Sequence, residues 1–215
     1  MAMGQCPLCG GKRRCGRGLM PERLTMNSSD LIALAREALT DPRRNGARIG
    51  SLSLPGNSLW ESLLLVSVLS VLGLWLAALT GPSAAETTAM LPVPFALLAL
   101  QLMAMLALAL AVTLLGRMAR GQGDFTGALR IVTWLQALLV VVQFVQVFLM
   151  LLLPPLAGFL SLAAIVGAAW VATGLVAGLH GFKSLPLTFL GIIGGIFAVA
   201  FVMSIFFTLF FPLLG

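Results

Sequence analysis

Five long apolar runs dominate the sequence: Leu59–Leu79, Leu91–Gly116, Ile131–Leu153, Leu156–Leu179 and Leu185–Phe211. A bilayer core of about 30 Å takes about 20 helical residues at about 1.5 Å each, and every run is that long or longer. Hydrocarbon offers backbone N–H and C=O groups no partner, so such a run must close its own hydrogen bonds as a helix. The sequence therefore predicts an all-α, polytopic membrane helix bundle, with five transmembrane helices over residues 58–215. Composition agrees, with only 9% charged residues where a soluble domain carries about a quarter. Prolines fall where missing amide hydrogens matter least: Pro82 after the first run, Pro92 and Pro94 opening the second, Pro154 and Pro155 closing the third, Pro186 opening the fifth. Ser83-Ala84-Ala85 mimics a signal-peptidase site, but the run before it is long enough to span, so no cleavage is expected. Trp60 and Trp75 lie near the ends of the first run, and Trp134 and Trp170 near opposite ends of theirs, where amphipathic rings favour the interface.

Charge sets the expected orientation. Nine of the 13 Lys and Arg residues precede Gly50, so the net charge of +6 is an N-terminal property. That pattern suits anionic lipid and not a nucleic-acid surface, which needs basic residues spread over one folded face. Arg36, Arg43, Arg44 and Arg48 precede the first span, and Arg117, Arg120 and Arg130 separate the second from the third. Lys183, with His180, separates the fourth from the fifth, while the alternate connections carry only Glu86 or nothing. The positive-inside rule then puts the N-terminus in the cytosol and the C-terminus on the periplasmic or extracellular side.

Before the spans, two segments are expected. Residues 1–25 read as a disordered basic tail with Cys6, Cys9 and Cys15. The Cys6-x-x-Cys9-Gly10 turn suits thiolate ligation of zinc, but a closed structural site takes four ligands and a fourth is missing. These cysteines are weak metal candidates, and no cofactor is expected. The abrupt change of character at Met26 suggests that the natural chain starts there. In residues 26–57, Leu31, Leu34, Ala35, Ala38 and Leu39 share one helix face, behind N-cap candidates Asn27, Ser28, Ser29 and Asp30. Asp41-Pro42 stops this amphipathic helix, Arg43, Arg44 and Arg48 form a basic exit, and residues 50–56 form a linker. The helix either lies in the membrane plane, where it could meet a partner, or packs on the cytosolic face of the spans.

Candidate chemistry is sparse. Intramembrane catalysis or ion transport normally needs ionisable residues in the spans, and spans two to five have none, so no catalytic residue is assigned. The stretch from Gly116 to Arg130 holds four glycines and three arginines but lacks the lysine and the strand of a phosphate cradle; its glycines read as loop formers. Gln136, Gln143 and Gln146 fall on one face of span three, as interhelical hydrogen-bond glue or, alternatively, as a polar groove that Gln101 could join. Gly174-x-x-x-Gly178 and Gly191-x-x-x-Gly195 are close-approach motifs, expected to pack span four on span five, with a homo-oligomer seam as the alternative.

The run Asp124-Phe125-Thr126-Gly127-Ala128-Leu129-Arg130 leading to Trp134, the segment Gly178-Leu179-His180-Gly181-Phe182-Lys183-Ser184, the Asp41-Pro42 helix end and the five-span layout together resemble the Yip family over residues 30–211. The resemblance implies a five-span integral membrane protein without catalytic residues. Eukaryotic members bind prenylated Rab-type GTPases, which is not carried over, because this sequence lacks their long cytosolic N-terminal region. Its Ala/Leu-rich composition points to a bacterial type in the inner (plasma) membrane. The expected function is a non-enzymatic scaffold binding protein partners or lipids through Arg36, Arg43, Arg44, Arg48, Arg117, Arg120, Arg130 and Lys183. The alternative is translocation of a small solute or lipid along the glutamine face.

Overall fold

The computed structural model describes residues 28–52, 56–80 and 93–210. Seven helices and no strand occur among them: α1 (Ser28–Thr40), α2 (Pro42–Ser51), α3 (Gly56–Thr80), α4 (Pro94–Met118), α5 (Phe125–Leu152), α6 (Pro154–His180) and α7 (Leu185–Phe210). The last five are each long and apolar enough to cross a membrane, with mean hydropathy between 2.1 and 2.5.

Helix starts account for most departures from the expected boundaries. Asp41-Pro42 does end α1, but it also begins α2. The Asp41 carboxylate accepts a hydrogen bond from the Arg44 amide at 3.1 Å, and Pro42 takes the first turn, where its fixed φ suits a helix. Arg43, Arg44 and Arg48 therefore belong to a second helix and not to an irregular exit, and that helix runs through Ser51 into the expected linker. Asp124 caps α5 in the same way, accepting from the Gly127 amide at 3.2 Å. Because of that cap, α5 begins six residues before Ile131, and α4 continues to Met118. The polar interruption shrinks to residues 119–124. Leu153 joins α5 to α6 without a loop: its amide bonds Leu149 O at 2.7 Å, and its carbonyl accepts from Leu156 at 3.0 Å.

In the bundle α5 packs against α3, α4 and α6, while α7 lies against α4 and α6. The short helix α2 packs on α6 and α5, with α1 beyond it. Buried side chains form two clusters. Leu59, Leu63, Met105, Ala109, Leu129 and Val132 join α3, α4 and α5. Leu34, Ala38, Ile49, Ile131, Val171 and Leu175 join α1 and α2 to α5 and α6. Only Leu34 and Ala38 of the expected α1 stripe are fully buried, whereas Leu31 and Leu39 stay exposed. Outward-facing Phe148, Phe159, Ile165, Val166, Phe197 and Phe201 would be anomalous in water, and hydrocarbon is the solvent that suits them. Four buried span hydroxyls are satisfied within their own helices. Ser67, Thr113, Thr133 and Thr173 each donate to the carbonyl four residues back, at 2.6–2.8 Å.

Candidate functional site

Both buried clusters and most polar contacts gather at one end of the bundle, where α2, the 119–124 turn and the 181–184 turn meet. The closest contact there is backbone on backbone. A Cβ added to Gly46 would strike Leu175 O, one on Gly174 would strike Pro42, and one on Gly178 would strike Arg43 O. The Gly174/Gly178 motif is thus a seat for α2, and not the expected seam between spans four and five. The reason lies in α2, whose own Gly46 lets its backbone reach α6. In the other motif, Gly195 meets Leu115 of α4 at 3.0 Å and Gly191 faces open space.

Two polar side chains lock α2 in place and a third holds α1. Asn45 is fully buried. Its Nδ2 donates to Leu34 O at 3.1 Å, and its Oδ1 accepts from Trp134 Nε1 at 3.1 Å. One side chain thereby joins α1, α2 and α5. Arg130 Nη1 donates to Gly50 O at 2.8 Å, satisfying a carbonyl in the last turn of α2. Trp170 Nε1 reaches Leu39 O at 3.4 Å. Trp134 and Trp170, placed by the sequence at interfacial ends of their spans, bind helix backbone and a buried amide at this one end.

His180 occupies the centre of this end. Its ring is buried and stacks on Phe182, with centroids 5.3 Å apart and planes 12° from parallel. Nδ1 lies 3.2 Å from Val176 O, while Nε2 has no partner among the described residues. Any Cβ on Gly116, Gly121 or Gly123 would run into this ring. Leu179, one residue earlier, likewise fills the space left by Gly50, Gly123 and Gly127. Sequence reasoning saw a lone histidine and a glycine-rich loop separately. The available signal was that three glycines of one loop exceed what a single turn needs.

The basic residues divide into three groups. Arg130 is half-buried and committed to Gly50, so it leaves the exposed face. Arg44 and Arg48 share Glu37, at 3.6 and 3.2 Å; such exposed pairs contribute at most about 1 kcal/mol. Arg36, Arg117, Arg120 and Lys183 are exposed, and Arg43 is half-buried beside Gly178. Arg120 is the only described non-glycine residue with positive φ, at 61°. It follows α4 in a Schellman turn, with Gly121 N–H bonded to Gly116 O at 2.8 Å and Arg120 N–H to Arg117 O at 3.0 Å.

The three glutamines do not make one continuous polar strip. Gln136 donates to Ser70 Oγ at 3.1 Å and Gln143 to Ser70 O at 3.3 Å, both on α3. Gln146 donates to Ser161 Oγ on α6 at 2.9 Å. Gln101 joins Gln143 and Ser70 around a cavity of about 440 Å³ between α3 and α4. Cys6, Cys9 and Cys15 lie outside the described residues.

A family model described as the Yip1 domain matches residues 36–210. No curated protein and no solved structure matches the chain.

Proposed function

The chain belongs to the Yip1 domain family and is an integral membrane protein, and from that premise we propose that it is a non-enzymatic membrane organiser whose capped end binds protein partners or lipids. The observation that carries this reading is the fixing of α2. Glycine seats, the Asn45 node and the Arg130–Gly50 bond hold a short helix beside Arg117 at the end of α4 and the turns that carry Arg120 and Lys183. A preformed basic surface binds without the ordering penalty of a flexible tail. The alternation of basic connections supports a cytosolic location for this end, and the composition supports a bacterial plasma membrane.

The test is cross-linking and copurification from native membranes, with the chain and its Arg117→Gln/Arg120→Gln variant at matched abundance. Recovered proteins or anionic lipids should fall in the variant. An identical recovered set, with unchanged accessibility of both turns, would refute the reading.

The α3–α4 cavity favours translocation as a second reading, since Ser70, Gln101 and Gln143 all line it. Replacing Gln101 and Gln143 together by Leu should abolish solute or lipid flux in proteoliposomes; flux that survives would sink it.

A further inference from the structure

A groove of about 320 Å³ lies between α4, the end of α6 and the start of α7. That is within the size range of small-molecule sites, about 300–1,000 Å³, but its shape is particular. From Ala119 it follows α4 back to Leu108, and from Ser184 it follows α7 forward to Gly195. Eleven helical residues on each side make it about 16 Å long at about 1.5 Å per residue. Leu115, Val176 and Ile192 line its apolar length, and Gly191 and Gly195 contribute no side chain. A Cβ on Gly191 would meet nothing within 4 Å.

Charge enters the groove only at the turn end, as Lys183 beside Ser184. Lys183 is exposed, and no hydrogen bond or ion pair holds it among the described residues; no carboxylate lines the groove. Arg117, at the end of α4, and Arg120, on the turn that follows, stand exposed nearby. A narrow apolar slot with one cation at its membrane-surface end matches an acyl chain carrying a phosphate. A compact solute would leave most of the slot unfilled. Within a bilayer the chain itself gains nothing from hydrophobic transfer, because the surrounding tails are equally apolar. Shape therefore retains the tail, and Lys183 must supply the choice of headgroup.

We propose that this groove binds one anionic phospholipid, its acyl chain lying between α4 and α7 along Gly191 and Gly195 and its phosphate at Lys183. The proposal rests on the reading of the capped end as a lipid- or partner-binding face, and names the lipid class and its seat.

The test uses the full chain purified in mild detergent after reconstitution into vesicles of phosphatidylglycerol and phosphatidylcholine in equal parts, with retained lipid identified by native mass spectrometry. The chain should retain phosphatidylglycerol in preference. Lys183→Gln should lower that preference about fivefold, the factor equivalent to ~1 kcal/mol per basic residue at an anionic surface. Gly191→Phe should fill the slot and lose the retained lipid. Gly158→Phe, at another glycine facing open space, should change neither. Preference unchanged in Lys183→Gln, or lowered equally in Gly158→Phe, overturns the proposal. So does retained lipid in Gly191→Phe, or a change there in oligomeric state alone, which would assign the groove to a second copy of the chain. Because the assay contains no protein partner, its failure beside a positive partner experiment refutes the groove alone.

Discussion

Gly178→Ala separates the docking of α2 from the stability of the span that carries it. The added methyl would sit on the Arg43 carbonyl and 2.8 Å from the Ala47 amide nitrogen. Both are backbone atoms of α2 and cannot rotate aside, so α2 must move. Overpacking of this kind costs about 1–3 kcal/mol. Within α6 the same change is favourable, since alanine is better than glycine in a helix interior by about 1 kcal/mol. The two effects act on different elements and can be read apart. Hydrogen exchange in detergent should show the amides of α2 exchanging faster, by about fivefold for the first kcal/mol and about thirtyfold for two. Amides in the middle of α6 should be unchanged or slower. Gly158→Ala supplies the comparison: it adds the same methyl to the same helix where nothing lies within 4 Å, so only the propensity gain remains. Exchange of α2 that is identical in Gly178→Ala and in the unaltered chain would refute the seat. A change of oligomeric state with α2 still protected would mean that Gly178 serves a seam between copies.

Asn45→Ala should leave Trp134 Nε1 without its partner in a half-buried site, a loss of about 1–3 kcal/mol, and remove the side-chain bond that ties α2 to Leu34 O of α1; faster exchange in both α1 and α2, with a change in Trp134 fluorescence, is the expected readout, and release of α2 alone would contradict the node. Arg120→Gly should raise the melting temperature, because a left-handed L-residue costs roughly 1–2 kcal/mol, of which the greater unfolded-state entropy of glycine offsets about 0.4–1 kcal/mol; a lower melting temperature would mean that the arginine side chain stabilises the turn.

The spans were legible because their signal is local. A run of 20 apolar residues means a membrane helix whatever its neighbours, and proline and aspartate fixed most ends to within a few residues. Span five even kept its expected first residue, Leu185. α2 was missed for a physical reason. Its buried positions, Pro42, Asn45, Gly46 and Ile49, follow the helical period i, i+3, i+4, i+7. Only Ile49 is a conventional core residue. The others are buried because they cap, hydrogen-bond or allow close approach, and a reading based on hydrophobic periodicity does not register them. Glycine and proline also lower intrinsic helix propensity, so α2 depends on its contacts with α6, which sequence spacing does not reveal. The same blindness misassigned Gly174 and Gly178: their spacing declares a close approach but not the partner.

The 119–124 turn carries this lesson into the site. Read as sequence, the four glycines of residues 116–130 are loop formers, yet Gly116 and Gly127 lie in helices. In the structure none of Gly116, Gly121, Gly123 or Gly127 has positive φ; among the described glycines only Gly181, which closes α6, does. The loop glycines serve by lacking side chains, three of them around the His180 ring. The one left-handed position in the turn is filled by Arg120, where glycine would suit the backbone better. Residue choice here runs against local conformational preference, and such departures concentrate where function constrains the sequence. The turn's hydrogen bonds do not require an arginine. A positive charge held outward at the capped end, on the turn next to Lys183 and the groove, does account for one, and under the function proposed above Arg120 belongs to the proposed binding face and not to the scaffold beneath it.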